Sequence, residues 1–259
     1  GGASDAMAVA PTFNMQLAES KGGATDAITV APFLPSQVAG YRCAFDADNL
    51  GNALVSGKIA AWDDLAAGTF DTTQGIAGQR PVLSSDVFGT HDAADFVEAS
   101  NTSLDDSGGT VFAAAGYTFV FVGSTAGIFG LAIGSVTNSV PFRGGFGFSA
   151  ANKPMIYDGA GHQLISSTGV TTDALTLVVY RVTSAGVWTI RANGPTNTGT
   201  GTQAELASVG WDRVRLGGSA SGGFTGKMTL ALGFNAALST GDIESIEAYL
   251  ALVYGITLA

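Results

Sequence analysis

The densest set of side chains able to do chemistry is His91, Asp92 and Asp95. An imidazole beside two carboxylates has the donor types for acid–base catalysis or for holding a metal ion. The segment stands between turn-like stretches, where the same residues are equally at home on a solvated loop. Hydrolysis of a glycosidic bond needs two carboxyl groups flanking that bond, and along a strand alternate residues share a face. The five glutamates, Glu19, Glu98, Glu205, Glu244 and Glu247, are scattered along the chain. Asp63-Asp64 and Asp105-Asp106 are adjacent pairs, so on strands the two members of each would point to opposite faces. His162 and Asp158 flank the turn Gly159-Ala160-Gly161 and read as partners in a loop hydrogen bond. There is no Gly-x-Ser-x-Gly elbow, phosphate loop or Cys/His metal spacing. Gly199-x-Gly201-x-x-Ala204 precedes no convincing helix and reads as a flexible connection rather than a nucleotide loop. These residues lead to the expectation that the chain is not an enzyme, and no catalytic residue is assigned.

Binding residues are easier to nominate. Trp62 and Trp188 lie in strand-like runs that suit a core. Trp211 follows a glycine and precedes Asp212 and Arg213, the best setting of the three for stacking on a sugar ring. The binding candidates are therefore Trp211, Asp212, His91, Asp92 and Asp95. A calcium site needs six to eight oxygen ligands. The sixteen aspartates could supply them, but none falls in an EF-hand pattern and no ligand set can be assigned. No other cofactor is expected.

Composition narrows the partners. The net charge is −10, and the eleven basic residues are scattered. Nucleic-acid binding needs clustered Lys and Arg to replace phosphate counterions, and anionic lipid surfaces ask for the same, so neither partner is expected. Charged residues are 12% of the chain and mean hydropathy is +0.30, yet no run of about 18 apolar residues exists to span a membrane as a helix. So apolar a chain must bury its surface in a large core and in contacts between copies, which points to a homo-oligomer. No charged-then-apolar leader stands at Gly1. The lone cysteine, Cys43, alternates with Tyr41 and Phe45 and reads as a buried strand thiol.

The elements that would position the candidates are mostly strands. Tyr41–Asp46 alternates apolar and polar residues. The longest apolar stretch, 111–122, carries Gly116 and Thr118 among Phe, Tyr and Val and reads as a strand. The runs 175–182 and 187–192 flank Thr183-Ser184-Ala185-Gly186 as a hairpin, and the second ends in the turn dipeptide Asn193-Gly194. A short strand at 214–218 runs into a glycine turn, and 224–234 forms another strand. Ser239–Tyr254 reads as a helix, with Ser239 as N-cap, Asp242 as its capping-box partner and Gly255 just past the end. Its apolar stripe is Ile243, Ile246, Leu250 and Val253, with Glu244 and Glu247 off it, and it should pack at the edge or end of the packed strands.

The amino-terminal region repeats itself. The segment 1–11, GGASDAMAVAP, recurs as GGATDAITVAP at 22–32, identical at eight of eleven positions. Each copy closes on a proline, which belongs at a sheet edge rather than its centre. Residues 1–37 are read as an extended docking arm, with Val9, Pro11, Phe13, Ile28, Val30, Pro32 and Phe33 as its contact residues, and residues 38–259 as the main domain.

The motif order in that domain resembles the laminin-G-like domains of phage particles and bacterial surface proteins, within the concanavalin A-like lectin and glucanase superfamily. The carriers are the strand end Asp46-Ala47, a strand from Ile59 to Asp63 with Trp62 in it, Arg80-Pro81, the hairpin closing on Asn193-Gly194, and the late strand and helix. Ala44-Phe45 stands where Trp-Leu usually precedes Asp-Ala. The resemblance covers about residues 41–256. It implies an all-β, concanavalin A-like antiparallel β-sandwich (jelly roll) with one short C-terminal helix, here with an extended N-terminal arm. Retaining glucanases of this superfamily carry Glu-x-Asp-x-Glu on one strand, and this chain does not. The function expected by analogy is that of a structural protein of a phage particle: a decoration, head-fibre or tail component. It would be anchored to other virion proteins through residues 1–37 and would present a lectin-like domain to host-surface glycans. The alternative is a secreted or surface carbohydrate-binding adhesin domain of a bacterium.

Overall fold

The computed structural model describes residues 34–50, 54–66, 70–106, 116–127, 130–134, 145–157, 161–206, 214–219 and 222–259. The arm residues Val9, Pro11, Phe13, Ile28, Val30, Pro32 and Phe33, and the sugar-stacking candidates Trp211 and Asp212, lie outside the described residues.

Strands are numbered in chain order. The larger sheet runs β16 (Asn197–Thr202), β15 (Val187–Ala192), β14 (Thr176–Thr183), β9 (Gly116–Thr125), β20 (Gly226–Phe234), β7 (His91–Phe96), β6 (Val82–Phe88), β3 (Lys58–Ile59) and β2 (Leu54–Val55). β1 (Tyr41–Asp46) also pairs with β20. The smaller sheet runs β13 (Gln163–Ile165), β12 (Pro154–Tyr157), β11 (Gly145–Phe148), β10 (Gly130–Gly134), β17 (Arg215–Leu216), β8 (Leu104–Asp106), β5 (Thr72–Thr73) and β4 (Ala61–Trp62). A two-stranded ribbon, β18 (Gly218–Ser219) with β19 (Gly222–Gly223), completes the strands among the described residues. The pairings within the sheets are antiparallel. The architecture is an antiparallel β-sandwich and, among the described residues, one α-helix, α1 (Thr240–Tyr254), after strand β20.

Two cores share the larger sheet. Between the sheets lie Phe45, Trp62, Phe96, Phe119, Phe121, Phe146, Phe148, Tyr180 and Phe224. On the outer face of the larger sheet Val120, Val122, Leu177, Val179, Leu230 and Leu232 meet Ile243, Ile246, Leu250 and Tyr254 of α1. The helix therefore covers a sheet face and does not sit at the sandwich edge or end, as its position late in the chain suggested. Double burial explains the apolar run around β9, which is buried along its whole length. With water on neither face, no polar alternation is needed.

Other sequence readings are corrected in the same way. His91–Phe96 is a strand rather than a loop; Ala94 and Phe96 face the inter-sheet core, which fixes its register. Gly199 and Gly201 lie in strand β16, not in a flexible connection. A Cβ on either would come within 3.0 Å of the Trp188 ring, so these glycines make room for a core tryptophan. Ile59 and Trp62 fall on separate short strands of different sheets. Glu247 belongs to the covered side of the helix: it is buried and its carboxylate meets buried Arg191 of β15 at 2.7 Å.

The feature that positions the site is the far edge of β20. Its first residues pair with β7, Gly226 opposite Phe96 and Met228 opposite Ala94. Its later residues pair with β1, from Leu230 opposite Asp46 to Phe234 opposite Tyr41. One strand therefore hands over to the other along this edge, and the turn after β1 comes to lie beside the start of β7.

Candidate functional site

The handover is marked by a short acidic turn. Asp46 ends β1 in extended conformation, and its side chain accepts from the Asp48 backbone N–H (3.0 Å) and from Asn49 Nδ2 (2.7 Å). This turns the chain into a single 3-10 turn, Ala47–Asn49. The Asp46 carbonyl takes the indole N–H of buried Trp62 at 3.1 Å, which ties the turn to the inter-sheet core.

Asp48 then bridges to β7. Its Oδ1 accepts from the Asp92 backbone N–H at 2.7 Å, and its Oδ2 lies 2.6 Å from His91 Nδ1. The other imidazole nitrogen, Nε2, lies 3.1 Å from the Val253 carbonyl of α1. The ring packs on Tyr254, centroids 4.5 Å apart. Both nitrogens thus face oxygens, one a carboxylate and one a carbonyl, an arrangement that the imidazolium satisfies twice. Burial works against that charge. The hydrogen bonds to Asp48 and Val253, with the charges of Asp48 and Asp46, outweigh it and hold the pKa above the ordinary histidine value. The protonated ring also lies at the negative end of the helix dipole.

The sequence candidates are accordingly split. His91 and Asp92 both meet Asp48, while the Asp92 carboxylate accepts from the Asp86 N–H at 3.1 Å. Asp95 stands apart, paired across the strands with Lys227 at 3.1 Å. Asp105 and Asp106 do point to opposite faces: Asp105 makes a two-pronged contact with Arg215 (2.6 and 2.7 Å), and Asp106 is buried. Trp62 and Trp188 are core residues. Among the described residues, no group of three or more His, Cys, Asp or Glu side chains is placed to hold a metal ion.

Beside the acidic turn lies a cleft of about 260 Å³. Ala44, Leu230 and Leu232 of the sheet contribute to its lining, with Tyr249, Leu250, Val253 and Tyr254 of α1. Leu34, Pro35, Ser36, Tyr41 and Leu65 extend it, and Asp46, Asp48 and Asn49 supply its polar part. The wall at Leu65 is held by Asp64, whose Oδ1 accepts from the N–H groups of Ala44 (2.7 Å) and Ala66 (2.9 Å). Three tyrosines and four short polar side chains around an apolar base make a surface able to stack on a ring and accept from its hydroxyls. The phenols of Tyr41 and Tyr254 stay neutral. Burial, helped by Asp64, Cys43 and Asp46, pushes Tyr41 up to about 12, and burial next to Asp46 and Asp48 raises Tyr254 far above its usual value. Asp46 is also raised, by burial first and by Asp48, against the opposing pull of its hydrogen bonds to Asn49 and Asp48 and of nearby His91.

None of these lining residues was a sequence candidate. The signal was the string Asp46-Ala47-Asp48-Asn49, in which alternating acceptors can fold onto their own backbone. Tyr249 and Tyr254 looked like ordinary helix residues.

No protein-family model matches the chain, and no curated protein matches it. Solved structures do. A GH54 α-L-arabinofuranosidase soaked with a cyclic sulfate inhibitor matches with a TM-score of 0.60 and 10% identity, over 78% of this chain and 52% of that one. An arabinofuranosidase complexed with arabinofuranosyl-alpha-1,2-xylobiose gives 0.59 and 11%, with the same coverage of 78% and 52%. Trypanosoma rangeli sialidase gives 0.53 and 12%, over 84% of this chain and 34% of that one. The chain thus spans between a third and about half of the length of these proteins. The expectation that the chain is not an enzyme is corrected here: its structural neighbours are glycoside hydrolases, so a missing Glu-x-Asp-x-Glu strand does not exclude activity. At these identities the likeness is one of fold alone, an antiparallel β-sandwich.

Proposed function

We propose that the chain is a glycan-recognition module on the surface of a phage particle, in a decoration, head-fibre or tail component. The observation that carries the recognition half is the cleft itself. Tyr41, Tyr249 and Tyr254 line it beside Asp46, Asp48 and Asn49. Aromatic faces bind the apolar side of a sugar ring, and short carboxylates and amides bind its hydroxyls. The particle half draws on the duplicated segment within residues 1–37, two like stretches on one tether. Joining two weak docking strands makes the second attachment intramolecular and raises avidity.

Two experiments test this reading. The full chain is screened against immobilised glycans, and hits are measured by calorimetry with Tyr249→Ala and Asn49→Ala. Each variant should weaken binding about tenfold, the loss of a stacking or hydrogen-bonding contact, with little change in melting temperature. Glycan binding that neither variant alters would place recognition elsewhere and sink the cleft assignment. For the particle half, deletion of residues 1–37 should abolish incorporation into particles, and Ile28→Asp with Val30→Asp should reduce it in part. Normal occupancy after deletion would overturn the docking role. A secreted bacterial adhesin, the alternative, would instead be found free of any particle.

A further inference from the structure

We infer that the group recognised by the cleft is a cation: an ammonium-bearing substituent of a glycan, carried either by a free amino sugar or by a choline-like decoration. This rests on the glycan-recognition reading and narrows it.

The argument is electrostatic. Asp46 and Asp48 line the cleft, and among the described residues no lining residue is basic. The nearby positive group is His91, and it does not offer itself to a ligand: Nδ1 is committed to Asp48 and Nε2 to the Val253 carbonyl. Its charge answers that of Asp48. Asp46 is answered by hydrogen bonds from the Asp48 N–H and from Asn49, and more weakly by the charge of the same His91. Two carboxylates therefore share one imidazole, and the balance beside the apolar cleft stays negative.

The helix adds to this. Val253 and Tyr254, which line the cleft, belong to the last turn of α1. The C-terminal end of a helix carries partial negative charge and favours cations, yet the last turn of α1 holds no basic residue. The tyrosines contribute in the same sense, since a neutral phenol ring attracts a cation over its face. An anionic sugar would meet Asp46, Asp48 and the helix end with no basic side chain among the described lining residues to offset them. A quaternary ammonium suits the apolar part of the surface, because its methyl groups need no hydrogen-bond partner.

The test is a titration of the full chain followed by NMR and calorimetry. The probes are choline, its uncharged isostere 3,3-dimethylbutan-1-ol, glucosamine, glucose and N-acetylneuraminate. Choline or glucosamine is expected to bind at least about tenfold more tightly than its uncharged counterpart, the scale of a cation over aromatic rings beside a carboxylate. Which of the two binds identifies the source of the ammonium. Affinity should fall with added salt, and Asp46→Asn should remove most of the preference for charge. Because Asp46 also shapes its turn, Tyr249→Leu is the second variant, and it should weaken the cationic probe while leaving the fold intact. Equal binding of choline and its isostere would overturn the inference, as would binding of N-acetylneuraminate as tight as that of glucosamine. If glucose binds, Tyr249→Leu abolishes that binding and neither cation binds, the cation inference falls while glycan recognition stands. If no probe shifts cleft resonances and array hits survive Tyr249→Leu, both fall.

Discussion

His91 joins three parts of the molecule through two nitrogens: the turn after β1, its own strand β7, and the end of α1. Its folded pKa is raised above an unfolded value of about 6.5. The stability it supplies is therefore complete below that unfolded value and is lost as pH rises through the folded one. Melting temperature measured across pH 5 to about 9 should fall over this window, and His91→Gln should flatten that part of the profile. An unchanged profile in the variant would show that the imidazole is not charged in the folded chain. Sequence alone singled out His91 but could not supply its partner. Asp48 sits far away in the chain and is brought alongside only because β1 and β7 share one edge of β20. Asp95, nominated beside it, went to Lys227 because residues on a strand take whatever their neighbouring strand presents.

At the scale of elements, α1 was legible in its ends but not in its place. Ser239 accepts from the Asp242 N–H at 3.1 Å, and Gly255 takes the left-handed cap at φ +67°, as the sequence indicates. Its burial was misread because Glu247 looks polar on any helical projection, whereas its countercharge, Arg191, comes from a hairpin strand. Burial pushes Glu247 up to about 7, with Arg191 pulling down and Glu244 pushing up. Arg191→Ala should cost about 3–5 kcal/mol, since it strands a buried acid, whereas Arg191→Met with Glu247→Leu should cost far less. Ile246→Ala, in the packed stripe, should cost about 2–5 kcal/mol. Urea unfolding measures all three. A double variant as damaged as the single one would mean that the pair does more than neutralise itself.

Across the whole molecule, three layers share one sheet, so neither core can melt without exposing the other. Thermal unfolding should then be a single transition, with near- and far-ultraviolet circular dichroism coincident; two separated midpoints would show that the helix layer unfolds alone. The strands were legible in the sequence, because alternation and the Asn193-Gly194 turn are local signals, and the sandwich was what the resemblance carried by their order implied. The assignment of strands to sheets was not, since it depends on pairings between distant segments.

One such pairing bears on how the chain is made. β20 is the partner of β9, β7 and β1 at once, and it is nearly the last element in the chain. On the ribosome, β1 and β7 emerge early and must wait for it with their edges open, and contacts so distant in sequence close slowly. A chain stopped before Gly226 should therefore stay sensitive to protease and bind chaperones, and resistance should arrive abruptly once β20 is free of the exit tunnel.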